Sequence, residues 1–431
     1  MVIARKDRIA VEPNGAPALG WNRKAVTLLV LVGAVLVVGL TIVHGETTGK
    51  HLIDLQVYRK GAWAFIHGRN PYGRGLPGPK LPYTYTPFST IVFAPLSVMQ
   101  LHYAIEVHTL VSLAAMFVGL FLVVRELWGT ELTPRRLTAV TAGAMVAAYW
   151  SEPVLQTLGF GQINLVLMGL VLVDLLAVRN RKYCGVLIGI AAGIKLTPLV
   201  FVLYLLATKR YRAAIVASVT AAATVGLGWL FMPKPSSQYF FKLAWDARRI
   251  GHVSYIGNQS LYGMWTRLMG NDVLGKPWWQ ATAAVVVVAG IWAAAEIHRR
   301  FGEPFGLGVC AVTGLLISPI SWSHHWVWWI VPALMLTRYA WARRSRLLAG
   351  LTAAWSLPFY VGPFWRIPYS RWWNIPRFSF YQLLSDTYPI LGMIAMAMLV
   401  TWLLVSRSAA RAGARSQPIG SADSAVGALV D

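Results

Sequence analysis

Carboxylates are scarce in this sequence: 16 Asp and Glu stand against 39 Lys and Arg in 431 residues. One of them, Asp54, lies in HLIDLQVYRKGAWAFIHGRNPY, residues 51–72, soon after the apolar run VTLLVLVGAVLVVGLTIV at 26–43. A carboxylate at the mouth of a water-filled cavity can take a proton from a sugar hydroxyl. It can also cap a helix or pair with Arg59 or Lys60. A second unusual group is Lys195 in GIKLTP, inside an apolar stretch. A lysine at membrane depth is costly and calls for a function or a partner. Phosphate is a natural partner; Glu106 and Asp174 are the carboxylate alternatives. A third is the pair His324 and His325 in SPISWSHHWVWW, residues 318–329. Neighbours on a helix point about 100° apart, so the two do not suit one metal. No carboxylate or cysteine nearby completes a zinc-type set. The choices are hydrogen bonding to phosphate or sugar, and anchoring at a membrane interface.

Other polar groups cluster in a few segments. RNPYGRGLPGPKLPYTYTPF, residues 69–88, puts Arg69, Arg74 and Lys80 in an irregular Pro- and Gly-rich loop, where they meet an anionic ligand or lipid headgroups. SEPVLQTLGFGQINLVLMG, residues 151–169, brings Gln162 and Asn164 to the start of a membrane helix, as ligand contacts or caps. VSYIGNQSLYGMW, residues 253–265, offers Asn258, Gln259 and Ser260 to a sugar and Tyr262 and Trp265 for stacking, although Gly257–Asn258 also reads as ordinary turn chemistry.

These groups need elements to hold them, and composition says which. Hydrophobic residues make up 56% of the chain and charged ones 13%, and mean hydropathy is +0.54. A soluble domain carries about 25% charge, so this is an all-α polytopic membrane protein. The net charge of +23 does not indicate nucleic acid, for which no binding motif is present. The bases fall between apolar runs, at 125–136, 179–182, 209–212, 298–300, 338–346 and from Arg407, as cytoplasmic loops do. Cys184 and Cys310 sit in apolar segments as packing residues, with neither a disulfide nor a metal site expected.

About twelve transmembrane helices follow: 26–44, 103–126, 137–151, 163–178, 184–194, 197–208, 213–232, 279–297, 306–320, 325–338, 347–362 and 387–406. Residues 1–25 form a cytoplasmic N-terminal segment before an uncleaved first helix. Residues 26–406 form the membrane domain, with 45–102 as its first extracytoplasmic loop. Residues 407–431 form a disordered cytoplasmic tail. The run 184–208 lies between two basic clusters and is too short to cross twice, so GIKLTP reads as the tip of a hairpin dipping into the membrane. Residues 86–101 are placed as an interfacial helix on the outer face. Further outer loops are expected at 152–162, 233–278, 321–325 and 363–386.

Taken together, DLQVYRKG with Asp54 and Tyr58, YTYTPF with Tyr85, FGQIN with Gln162 and Asn164, GIKLTP with Lys195 and SPISWSHHWVW resemble glycosyltransferase family 87. These are the actinobacterial polyprenol-phosphate-mannose-dependent mannosyltransferases of GT-C fold. The matching segments spread from about 51 to 329, and the pattern is most similar to members acting in phosphatidylinositol mannoside synthesis. Lipomannan-branching members share the motifs and are the alternative. The resemblance implies juxtamembrane helices in the first loop and a catalytic acid there, at Asp54, as general base. It implies polyprenyl-phosphate mannose as donor and a mannosylated phosphatidylinositol as acceptor. An inverting, α-(1→2)-forming step follows at the extracytoplasmic face of the plasma membrane, with both termini cytoplasmic. Donor phosphate is assigned to Lys195, His324, His325 and Arg69. Sugar and acceptor contacts are assigned to Tyr58, Tyr85, Gln162, Asn164, Asn258 and Gln259. The paired acidic signature of some GT-C relatives is missing, so neither a metal nor another cofactor is expected. A transporter or flippase for a lipid-linked sugar is the rival class; it needs access from both faces and usually an inverted repeat, which this sequence lacks.

Overall fold

The computed structural model describes residues 52–178, 180 and 182–415, with side chains through 408. The segment 1–25 and the apolar run 26–44 lie outside the described residues. What is described is helical, with no β-strand; an isolated antiparallel bridge joins Asn258 to Trp322.

The helices, in chain order, are α1 Ile53–Ile66, α2 Pro87–Val98, α3 Leu101–Trp128, α4 Pro134–Tyr149, α5 Glu152–Phe160, α6 Asn164–Leu176, α7 Val186–Ile194, α8 Val200–Ala207 and α9 Tyr211–Phe231. They continue as α10 Pro233–Phe241, α11 Leu261–Met269, α12 Asp272–Phe301, α13 Glu303–Ile317, α14 Ile330–Arg343, α15 Arg346–Val361, α16 Phe380–Ser385 and α17 Thr387–Arg415. Among the described residues, α3, α9, α12 and α17 are long and apolar enough to cross a membrane, and the pair α5–α6, bent by 114°, makes a fifth candidate.

Starts are set by local chemistry. Thr86 and Thr133 cap α2 and α4 by accepting the Ser89 and Arg136 amides, and a proline follows each cap. Parallel packing follows from small residues: Gly119 of α3 meets Leu172 of α6, and Gly169 meets Ala115. The Arg125 guanidinium closes that pair on the Leu176 carbonyl at 2.7 Å.

The hairpin expected at 184–208 is present, and its packing shows why. Gly185, Gly189 and Gly193 form one stripe along α7. A Cβ on them would lie 2.3 Å from the Ala213 carbonyl oxygen, 2.6 Å from that of Ala217 and 2.3 Å from Thr224 Oγ1. Small residues four apart let two helix backbones touch. The start of α9 therefore lies beside the start of α7, so α8 has carried the chain back. Lys195, extended at φ −146°, ψ 130°, is the turning point. Thr86 Oγ1 donates to the Gly193 carbonyl and ties α2 to this tip.

Basic side chains collect at the end of the bundle away from the tip. There Arg210 grips Glu303 at 2.8 Å, Arg338 meets Glu131, and Arg300 and Arg407 share Glu296.

Several boundaries differ from expectation. The loop expected at 152–162 is mostly α5, which Pro153 in its first turn starts and Gly161, at φ 66°, stops, whereas α1 at 53–66 is a helix where the resemblance implies juxtamembrane ones. The helix expected at 325–338 begins as a 3-10 turn, Ser323–Trp329, and becomes α-helical only at Ile330. The last helix runs on to Arg415, past the expected start of the tail, and Arg407 is bound to Glu296 at 2.5 Å.

Candidate active site

Asp54 sits in the first turn of α1, which is not one of the apolar spans, and one turn below it on the same face is Tyr58. The simple partners expected for Asp54 are engaged elsewhere. Arg59 donates to the Leu96 and Met99 carbonyls and Lys60 to those of Pro79 and Leu81.

Gln162 reaches Asp54 from the break between α5 and α6, where the chain turns at Gly161. Its Oε1 accepts from Tyr58 at 2.8 Å and from Tyr85 at 2.8 Å, and the two phenols lie 2.9 Å apart. With its oxygen so occupied, the Gln162 amide nitrogen is left to donate to the Asp54 carboxylate. Burial pushes the Asp54 carboxyl up to about 6, while the Gln162 bond and the charge of Lys195 pull the other way.

Lys195 Nζ donates to Asn164 Oδ1 at 3.1 Å and meets His325 Nε2 at 3.0 Å. It lies 5.5 Å from the centre of the Tyr85 ring. An ammonium has three donors and no acceptor. His325 Nε2 therefore accepts, its ring proton sits on Nδ1, and one Lys195 proton remains for a ligand. The suggested carboxylate partners are not used. Asp174 instead accepts the Gly185 and Ile188 amides at the start of α7, and Glu106 is exposed.

The two histidines divide their work. His324 is buried, its ring edge-on to Phe160 at 5.3 Å. Its carbonyl accepts from Thr157 Oγ1 and Asn164 Nδ2, both at 2.9 Å. His325 turns the other way and lines the cavity. Behind them, buried Glu152 accepts from Ser323 Oγ at 2.7 Å, Trp365 Nε1 at 2.7 Å and Tyr388 Oη at 2.9 Å, fixing the 3-10 turn that carries both histidines.

Asp54, Tyr85, Gln162, Lys195 and His325 thus form the polar end of a cavity of about 600 Å³. Its remaining walls include Leu196, Leu199, Leu203 and Ile317. Leu199 and Leu203, just before and within α8, are 40% and 43% exposed, so the apolar wall is open rather than sealed by packing.

Not every expected residue meets this cavity. Tyr58 and Asn164 stand behind its wall as hydrogen-bonding supports. Arg69 is exposed over the Trp63 ring and does not line it. Asn258 and Gln259 are buried and hold backbone: Asn258 bonds Val253, Pro319 and Ser321, and Gln259 bonds Ile256, Ser385 and Tyr388. Sequence reasoning passed over Arg249, which lines the cavity while donating to the carbonyls of Tyr83, Thr84 and Leu243. It also passed over Glu152; a carboxylate beside Pro at the mouth of a membrane helix was the available signal.

The family model for "Glycosyltransferase family 87" matches residues 83–319, more than half of the chain. The chain belongs to glycosyltransferase family 87. Tyr85, Gln162, Asn164 and Lys195 fall within the matched region, and Asp54 and His325 flank it. This family 87 glycosyltransferase is 33% identical over 75% of its length, and 80% of the relative's, to a Mycobacterium tuberculosis protein. That protein is named polyprenol-phosphate-mannose-dependent alpha-(1-2)-phosphatidylinositol mannoside mannosyltransferase. A Mycolicibacterium smegmatis relative named for a pentamannoside mannosyltransferase of the same donor is 31% identical over 89% of this chain and 94% of its own.

Proposed function

We propose that this glycosyltransferase moves mannose from polyprenyl-phosphate mannose to a mannosylated phosphatidylinositol, forming an α-(1→2) bond. The names of its relatives support the donor and the acceptor class. Two kinds of acceptor appear among those names, phosphatidylinositol mannoside and its pentamannoside, at 31–34% identity. Within that choice we place the step at the fourth-to-fifth mannose, with lipomannan branching as the alternative. The surroundings are those of a GT-C fold of about twelve spans in the plasma membrane, with Asp54 and the cavity at the extracytoplasmic face and the termini in the cytoplasm. The gathering of Arg125, Arg210 and Arg338 at the opposite end of the bundle supports that orientation.

The observation that carries the mechanism is one cavity holding a carboxylate with a raised pKa and, across from it, a lysine with a free donor. The acceptor hydroxyl attacks the anomeric carbon, and its proton passes to Asp54. The anomeric C–O bond to phosphate breaks, and its electron pair leaves with the lipid phosphate. One displacement turns a β-linked donor into an α-linked product. Gln162, held by Tyr58 and Tyr85, orients the Asp54 carboxylate. Lys195 and His325 meet the charge growing on the leaving phosphate, where fixed donors count most in a water-poor site. The apolar wall at Leu199 and Leu203 takes the first prenyl units. With lysine, imidazole and amide facing the phosphate, we propose that the reaction runs without a metal.

The test is mannose transfer by purified protein in lipid, with polyprenyl-phosphate mannose, a panel of phosphatidylinositol mannosides and EDTA, beside Asp54→Asn. Product from the native chain alone is the expected result. Movement of intact donor across the bilayer, with no product from any acceptor, would favour the transporter reading.

A further inference from the structure

A second cavity of about 640 Å³ lies beside the catalytic one. The thin segment 248–251 divides them: Arg249 and Ile250 line the first, and Arg248 and Gly251 line the second. Trp322, in the first, lies so close to Gly251 that a Cβ there would meet its ring at 2.9 Å.

The walls of the second cavity are unlike those of the first. Trp373 presents an indole that is 45% exposed, buttressed by Tyr255 at 5.6 Å and Tyr369 at 5.3 Å. Asn271 and Asn374 add amides, and Asp272 a carboxylate. Arg377 lies flat over Gly270: a Cβ on that glycine would be 1.9 Å from its Nη2, and φ there is +87°. Arg248 is held only loosely, 3.6 Å from Asp246 and 3.9 Å from Asp272, and is 71% exposed. Thr266, in the wall and 2% exposed, has a hydroxyl with no hydrogen-bond partner among the described residues. A firm base lies beneath, where buried Arg267 bonds Asp386 at 2.5 Å and the Tyr255 and Asn258 carbonyls at 3.0 Å.

An exposed indole face, planar amides, a carboxylate and guanidinium forks are the groups that bind hexoses: the ring takes the C–H face and the others take vicinal hydroxyls. Val253 and Ile375 are the aliphatic members of this wall, and polar side chains outnumber them. We propose that this second cavity is a carbohydrate subsite that holds the non-reacting mannose units of the acceptor, centred on Trp373, Asn374 and Arg377. The inference rests on the acceptor class proposed above. Its value to the reaction is affinity: contacts remote from the attacked carbon hold the acceptor equally in ground and transition states, which lowers KM without raising kcat.

The test uses the full chain in nanodiscs. Saturation-transfer NMR with a soluble α-linked mannotriose reads binding without turnover. Signal is expected from the native protein and from Asp54→Asn, and loss of signal from Trp373→Ala, with Trp373→Phe retaining part of it. In kinetics, Trp373→Ala and Asn374→Ala should each raise KM for the phosphatidylinositol mannoside about tenfold, the size of one lost hydrogen bond or stacking contact, with kcat and the KM for donor unchanged. No mannotriose signal from the native protein, an unaltered signal in Trp373→Ala, or a fall in kcat without a change in KM would overturn the subsite. Mannotriose bound at Trp373 by a protein that transfers no mannose would keep the subsite and defeat the functional reading instead.

Discussion

Asp54 is the residue on which most depends. Removing a general base costs about 10²–10⁴ in rate, and Asp54→Asn should show that loss in kcat with donor binding intact. Its carboxyl is raised by burial to about 6, so the folded state is disfavoured by ionising it as pH rises toward that value. The same variant should therefore unfold no earlier than the native protein at pH 7.5, and an early melt would mean that Asp54 serves the fold. For catalysis the sign is the reverse. The base must be unprotonated, so kcat/KM should fall tenfold per unit as pH drops below about 6. Lys195→Met should cost about 10²–10³ in kcat, as removal of one oxyanion donor does, and His325→Gln should cost far more than a ring change at His324 that leaves its carbonyl in place. Asp54, Lys195, Gln162 and a histidine were singled out from the sequence, each beside an ordinary structural reading, and it was their combination in the family resemblance that drew them together; the structure brings them to one cavity. Which histidine faces the cavity was not legible: it depends on the 3-10 turn at 323–329, a backbone detail set by Glu152 from another element. Asn258 and Gln259 misled for the opposite reason. Loop amides look the same in sequence whether they bind sugar or their own backbone.

At the level of elements, the hairpin α7–α8 is what brings Lys195 to the site. Its glycine stripe lets α9 approach to backbone contact, so overpacking it should act at a distance. Gly189→Leu should destabilise the protein by about 1–3 kcal/mol, read as a lower unfolding midpoint in detergent, and should lower kcat although residue 189 does not line the cavity. Unchanged midpoint and rate would show that the stripe is incidental. This hairpin was readable from charge alone, because two basic clusters bracket a run too short to cross twice. The helices α5, α10, α11 and α16 were not, and α1 was expected only through the family resemblance. Their sequences mix polar and apolar residues without a long apolar run, and their helicity is settled by caps and by packing on the bundle. The bend between α5 and α6 was hidden in the same way; GFGQ read as a turn, but not that a helix precedes it.

On the scale of the whole molecule, α11 and the segment that joins α16 to α17 are pinned together by a buried ion pair, Arg267–Asp386, at 1% and 2% side-chain exposure. Breaking a buried pair from one side leaves a bare charge, at about 3–5 kcal/mol. Arg267→Met should lower the unfolding midpoint sharply, and a double variant with Asp386→Leu should recover part of it. Leu199 and Leu203, in the apolar wall of the catalytic cavity, are where the proposed lipid donor would enter from the bilayer. The donor and acceptor proposed above are both lipids, so each should arrive by sliding within the bilayer. The relevant concentration is then a mole fraction in the plane of the membrane. Apparent KM values should rise in proportion to added detergent or bystander lipid at fixed bulk substrate, a surface-dilution behaviour that an enzyme loaded from water does not show. On the proposed reaction, spent polyprenyl phosphate leaves along the same apolar wall, so it should compete with fresh donor and not with acceptor.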